Sequence, residues 1–176
     1  MIMSLLFGLV AAFIFYFMVS SRAVNFSTKI PNSIRWIMIP FYAMLGGTLA
    51  STAASSFMTL SAIIVPILSQ HASGATVYWF TGNIILPFVQ TYGLICCAYI
   101  MAPKFKIKTT YIICTIFILF ILYSLFGQDF IFGQHPIAAT AGYGDNLFST
   151  IITCFSYLIG MYCGVNLPID GARTRE

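Results

Sequence analysis

Long apolar runs with hardly a charged residue are the feature that most constrains this chain. A helix needs about 20 mostly apolar residues to cross the roughly 30 Å of hydrocarbon in a bilayer. Runs of this kind recur along the sequence, at about 2–20, 36–57, 77–101, 109–127 and 147–167. Because the bilayer interior has no water to satisfy free backbone polar groups, each run is expected to form a helix. The sequence therefore predicts an all-α integral membrane bundle with about five transmembrane helices.

The overall composition agrees with a membrane protein. Hydrophobic residues make up 60% of the chain and charged residues 7%, whereas soluble domains carry about 25% charged residues. No linker or charge block divides the 176 residues, so we expect one transmembrane domain over 1–176. The expected location is a bacterial inner (plasma) membrane or an organellar inner membrane. Its surroundings are then the lipid bilayer, and nucleic acid is not an expected partner.

One stretch, residues 34–68, is ambiguous because it is too long for a single simple span. As a continuous helix it would be about 50 Å long at 1.5 Å per residue. We interpret it as a span over 36–57 followed by an outer segment over 58–76. The hydropathy leaves open whether that outer segment is an extended helix, a surface helix or part of a hairpin.

The distribution of basic residues predicts the orientation of the spans. The eight Lys and Arg residues form three groups: Arg22, Lys29 and Arg35; Lys104, Lys106 and Lys108; and Arg173 and Arg175. Loops on the cytoplasmic side of a membrane carry an excess of Lys and Arg. Five spans place all three groups on one side, whereas a hairpin within 34–68 would separate them. We therefore expect the N-terminus outside and the C-terminus inside.

Small residues recur at helical spacing in two of the spans. Lipid supplies no hydrophobic drive for helix association, so close packing depends on residues with little or no side chain. The second span has two such rows and the fifth span has a pair: Gly46, Ala50 and Ala54; Gly47, Ser51 and Ser55; and Gly160 and Gly164. The rows predict helix packing, and they leave open whether the partner helix belongs to this chain or to another.

Acidic residues are missing from the predicted spans. All four lie in the outer loop or the C-terminal tail, at Asp129, Asp145, Asp170 and Glu176. Ionisable groups within a bilayer are costly and are usually functional. Their absence argues against a proton-coupled carrier and against an intramembrane aspartyl protease, which needs a pair of carboxylates. We expect a noncatalytic protein.

Histidine and cysteine give no support for a cofactor. The two histidines, His71 and His135, lie in outer loops, which excludes a haem held between transmembrane histidines. The five cysteines all lie in the spans and show no CxxC spacing. Cys96, Cys97 and Cys114 could approach one another as a redox or metal site, but buried cysteines act far more often as small apolar side chains. The sequence predicts neither a cofactor nor a metal.

One polar pattern does occur inside the membrane, on the third predicted span. Thr76, Asn83 and Gln90 recur every seven residues and so fall on nearly one helical face. Pro87 removes a backbone donor and frees the carbonyl of Asn83. We favour an interhelical hydrogen-bonded seam over a solute path for this face.

The outer loop at 128–146 combines apolar and aromatic residues, among them Phe130, Ile131, Phe132 and Tyr143. Loops of this length are often functional. These apolar side chains need to be shielded from water, so we expect them to dock a partner. The favoured hypothesis is a noncatalytic structural or accessory subunit of a multi-subunit membrane complex, of the respiratory or secretion type. The alternative is a small homo-oligomeric channel or carrier for a neutral solute, lined by the polar face of the third span.

Overall fold

The computed structural model describes residues 2–68, 74–123 and 147–166, and this part of the chain is helical, with no strand. The predicted all-α fold class is therefore confirmed for these residues. The α-helices are α1 Ile2–Val19, α2 Ser21–Lys29, α3 Asn32–Leu68, α4 Gly74–Phe80, α5 Leu86–Met101, α6 Lys106–Leu122 and α7 Leu147–Asn166. A π-helical segment, Thr81–Ile85, joins α4 to α5 and is called the π-turn below.

Two helices in the described part are long and apolar enough to cross a membrane. One is Asn32–Ser61 within α3, and the other is Ala75–Met101, formed by α4, the π-turn and α5 together. Met3–Val19 and Arg22–Lys29, which meet at an angle of 59°, give a third if the bent pair is one span.

Helix α3 runs without a break over 37 residues, which corresponds to about 55 Å at 1.5 Å per residue. A hairpin within 34–68 is therefore not formed. The first part of the predicted outer segment, up to Leu68, is an extension of the same helix.

Helix α5 lies at the centre of the bundle, and every residue from Gly93 to Ala102 is buried. Helices α3 and α7 pack along it, and α6 contacts both α5 and α7. The outer helices instead expose many large apolar side chains, including Phe7 and Phe13 on α1, Phe41 on α3, Ile116 and Phe120 on α6 and Phe155 on α7. Small residues inside and large apolar residues outside are the arrangement expected for helices packed in lipid.

The contact between α3 and α5 depends on glycine in both helices. A Cβ atom added to Gly46 would lie 2.9 Å from the carbonyl oxygen of Gly93, and one added to Gly93 would lie 2.7 Å from the Cβ of Ala50. Both distances are shorter than atomic packing allows, so the two backbones are in direct contact. Helix α7 approaches α5 in the same way, because a Cβ on Gly164 would lie 2.8 Å from the Cβ of Ile95.

Helix α1 is attached to α3 by two side chains that donate to backbone carbonyls. The Tyr42 hydroxyl donates to the Met18 carbonyl at 3.1 Å, and the Ser56 hydroxyl donates to the Ser4 carbonyl at 2.9 Å. Gly8 lies directly against Ser56. These contacts hold both halves of α1 against α3.

Candidate functional site

The π-turn interrupts the regular helix formed by α4 and α5. The amide of Leu86 donates to the carbonyl of Thr81, five residues earlier, and Pro87 follows at the start of α5 without an N–H to donate. The missing donor accounts for a wider turn at this point, because the regular bond to Asn83 cannot form. Such π-turns are rare and occur frequently at functional sites.

Asn83 connects the π-turn to α7. Its side-chain oxygen accepts hydrogen bonds from the Ser149 hydroxyl at 2.7 Å and the Thr153 hydroxyl at 3.1 Å. Its side-chain nitrogen donates to the carbonyl of Trp79 at 2.8 Å. Ser149 and Thr153 are four residues apart and so lie on one face of α7. Asn83 therefore forms a polar seam between two helices.

The other two residues of the predicted polar face lie against α3 instead. A Cβ on Gly47 would lie 3.1 Å from the Gln90 carbonyl oxygen and 3.7 Å from the Gln90 Cγ, and Thr76 lines a cavity beside α3. A seven-residue spacing keeps side chains on one face only in a helix with about 3.6 residues per turn. The π-turn has more residues per turn, so it rotates the later side chains away from that face. The structure does not bring Thr76, Asn83 and Gln90 together.

The cavity beside the π-turn has a volume of about 580 Å³ and lies between α3 and the segment formed by α4 and the π-turn. Its lining is mostly apolar and consists of Ala54, Phe57, Ser61, Thr76, Val77, Phe80, Thr81 and Ile85. The Thr81 hydroxyl donates to the Val77 carbonyl at 2.7 Å, so its oxygen can still accept a hydrogen bond. The volume lies within the range of small-molecule sites.

A second polar centre lies at the C-terminal end of α5, where Arg35 is only 6% exposed. Its Nε donates to the Met101 carbonyl at 3.1 Å, and one Nη donates to the Ala102 carbonyl at 3.1 Å. The last carbonyls of a helix have no partner within the helix and carry partial negative charge. Arg35 satisfies these carbonyls and fixes the start of α3 to the end of α5.

The small-residue rows divide among three environments. Gly46, Gly47 and Ala50 lie against α5, and Gly160 and Gly164 pack on α5 from the other side. Ala54 lines the cavity. The hydroxyls of Ser51 and Ser55 donate to carbonyls of their own helix.

The cysteines are all free thiols and they take different positions. Cys97 packs against Gly46, whereas Cys114 belongs to the buried apolar core. Within 2–68, 74–123 and 147–166, no three His, Cys, Asp or Glu side chains are grouped so as to hold a metal ion.

The contacts that were not predicted from the sequence include the bonds of Arg35 to α5 and the pairing of Asn83 with Ser149 and Thr153. The spacing of four between Ser149 and Thr153 was a visible signal, although it does not identify the partner. The predicted docking residues Phe130, Ile131, Phe132 and Tyr143 lie outside the described residues.

Comparison of the chain with protein-family models, curated proteins and solved structures finds no significant match.

Proposed function

We propose that this chain is a noncatalytic structural or accessory subunit of a multi-subunit membrane complex, of the respiratory or secretion type. The observation that carries the proposal is that polar side chains join helices that are far apart in the sequence. In the described residues, no buried side-chain nitrogen or oxygen lacks a hydrogen-bond partner. Asn83 joins the π-turn to α7, and Arg35 joins α3 to α5.

The proposal includes five spans with the N-terminus outside. Its support is the pairing of Arg35 with Met101 and Ala102, because that pairing puts the first and second basic groups at one end of the bundle. Helices α6 and α7 correspond to the fourth and fifth predicted spans. The positive-inside rule then assigns the basic end to the cytoplasmic or matrix side.

A partner subunit needs a surface that the chain does not use itself. Five of the small residues already pack within the chain, so the proposed contact surface is formed by large apolar side chains. Helix α1 packs mainly on α3, and its other side exposes Leu9 and Tyr16 at 72% and 70%. The proposed surface also includes the outer-loop residues Phe130, Ile131, Phe132 and Tyr143.

Purification in a mild detergent tests this function. We expect the chain to co-migrate with different membrane proteins in fixed ratio, and a photo-reactive residue at Tyr16 to form a discrete adduct with one of them. The same probe at Ala11, which is buried, is the control and should give no such adduct. A chain that migrates alone or only with copies of itself would contradict the proposal.

The cavity beside the π-turn favours one second candidate, a small homo-oligomeric channel or carrier for a neutral solute. Its test is flux into liposomes that contain the pure protein. Thr81→Val removes a hydroxyl from the cavity lining and should lower the flux. Thr115→Val is the matched control, because Thr115 is exposed on α6 and its hydroxyl also donates to its own helix, at 2.9 Å. Equal flux in both variants would exclude this candidate.

A further inference from the structure

Six of the eight basic residues lie close to one end of the bundle, which we call the basic end: Arg22, Lys29, Arg35, Lys104, Lys106 and Lys108. Two contacts assemble it. Arg35 binds the last carbonyls of α5, two residues before Lys104. The Ser27 hydroxyl on α2 lies 3.4 Å from the Ile100 carbonyl, so α2 lies against the same end of α5.

Helix α2 has one face toward the protein and another away from it. Ser27 is buried at the contact with α5. Arg22, Phe26 and Lys29 are exposed, and their spacing of four and three residues places them on a common face. The outer face of α2 therefore carries two cations on either side of an aromatic ring that is 67% exposed.

The turn after α5 repeats this combination of cations with an exposed ring. Lys104 and Lys108 are exposed, and Phe105 between them is also 67% exposed. The Lys108 ammonium lies 5.4 Å from the centre of the Phe105 ring. The Lys106 ammonium lies 5.4 Å from the centre of the Tyr99 ring.

These cations have no carboxylate partner in the described part of the chain, which contains no acidic residue. The charge of Arg35 is balanced by the partial negative charge at the end of α5. The other five basic side chains have no such partner and are either exposed or placed over an aromatic ring. The basic end therefore complements an anionic surface that also accepts aromatic rings. An anionic membrane surface has both properties, since phosphate groups lie there next to the acyl boundary.

We propose that the basic end binds the headgroups of anionic phospholipids, with α2 lying along the membrane surface and Phe26 and Phe105 inserted between headgroups. Arg22, Lys29 and Lys104 bind the phosphates. Helix α2 is suited to this position because it leaves the direction of α1 at 59°.

Tryptophan quenching by brominated lipid tests the proposal, because the two tryptophans lie in different parts of the bundle. Trp36 follows Arg35 at the basic end, whereas Trp79 lies next to the π-turn. Trp79→Phe leaves Trp36 as the reporter, and Trp36→Phe leaves Trp79 as the internal control. Each protein is reconstituted in phosphatidylcholine bilayers that contain brominated phosphatidylglycerol or brominated phosphatidylcholine.

We expect Trp36 to be quenched preferentially by brominated phosphatidylglycerol, and Trp79 to show little preference. The combined variant Arg22→Gln, Lys29→Gln, Lys104→Gln should lower the preference at Trp36 by about fivefold or more, since one cation near an anionic surface already changes binding by about fivefold. The charge-preserving variant Arg22→Lys, Lys29→Arg, Lys104→Arg should keep it. Raising the salt concentration should weaken it.

Three results would overturn the proposal. The first is an equal lipid preference at Trp36 and Trp79, and the second is a preference at Trp36 that survives the three Gln substitutions. The third is loss of the preference on adding inorganic phosphate at constant ionic strength, which would show a site for a free phosphate ion. The three Gln substitutions are also made on the Trp36→Phe background, where unchanged quenching of Trp79 by brominated phosphatidylcholine shows that the Gln variant is folded in the bilayer.

Discussion

Arg35 and Asn83 each join helices that are far apart in the sequence, and each does so with several hydrogen bonds. Arg35 supplies the fork of N–H donors that carbonyl groups at a helix end require. Asn83 supplies an acceptor for two hydroxyls and a donor for one carbonyl. Both residues therefore act on the stability of the bundle, and their substitution should be measurable as a change in the free energy of unfolding.

Arg35→Met should lower the free energy of unfolding by about 3 kcal/mol, because hydrogen bonds to charged groups contribute about 1.5 to 3 kcal/mol and the α5 carbonyls lose their partner. Arg35→Lys keeps the charge but lacks the planar set of N–H donors. Its free energy of unfolding should therefore lie between those of Arg35→Met and the natural protein. Unfolding followed in mild detergent measures both. Arg22→Met is the control, since Arg22 is exposed. An Arg35→Met protein as stable as Arg22→Met would contradict the capping role.

Asn83→Leu should cost about 1 kcal/mol, since membrane interhelical hydrogen bonds average about 0.6 kcal/mol and two hydroxyls of α7 lose their acceptor. A double-mutant cycle with Ser149→Ala should show that the two effects are coupled. Asn166→Leu is the matched control, because the Asn166 side chain is exposed and donates to its own helix at 2.9 Å. Additive effects of Asn83→Leu and Ser149→Ala would exclude the seam.

At the scale of elements, α5 is the helix on which the others assemble, and glycine determines how closely they approach. Gly46 on α3 and Gly164 on α7 lie against opposite sides of α5. Gly82 in the π-turn has a different environment, because no heavy atom lies within 4 Å of the position that a Cβ would occupy. The two kinds of glycine should respond differently to the same substitution.

Gly46→Ala should lower the free energy of unfolding by about 1 to 3 kcal/mol, which is the usual cost of adding a methyl group to a filled interior. Gly82→Ala should be neutral or stabilising by up to about 1 kcal/mol, because alanine favours helix over glycine and has room here. Parallel unfolding of the two variants measures the difference. A Gly82→Ala variant as unstable as Gly46→Ala would contradict the claim that close contact with α5 causes the loss at Gly46.

The helices also show which features of the fold can be predicted from the sequence alone. The uncharged runs predict helices correctly, because a backbone surrounded by apolar residues satisfies its hydrogen bonds most simply within a helix. The direction in which Asn83 points is not predictable in this way, since the π-turn before Pro87 alters the number of residues per turn. The pairing of Arg35 with residues 100–102 depends on the docking of two distant helices, which spacing does not encode.

At the scale of the whole molecule, the described residues form a helical bundle in which six of the eight basic residues lie close to one end. Two candidate spans, Asn32–Ser61 and Ala75–Met101, run in opposite directions between the basic end and the other end, and Arg35 joins them at the basic end. The proposed five-span topology requires that this end faces the cytoplasm or matrix.

Cysteine labelling with a membrane-impermeant reagent on intact cells or organelles tests this requirement most directly. Lys106→Cys places a thiol at the basic end and Ala75→Cys places one at the opposite end of the third span, while the parent chain controls for the five native cysteines. We expect Ala75→Cys to react from outside and Lys106→Cys to react only after the membrane is opened. Labelling of Lys106→Cys from outside would contradict the proposed topology.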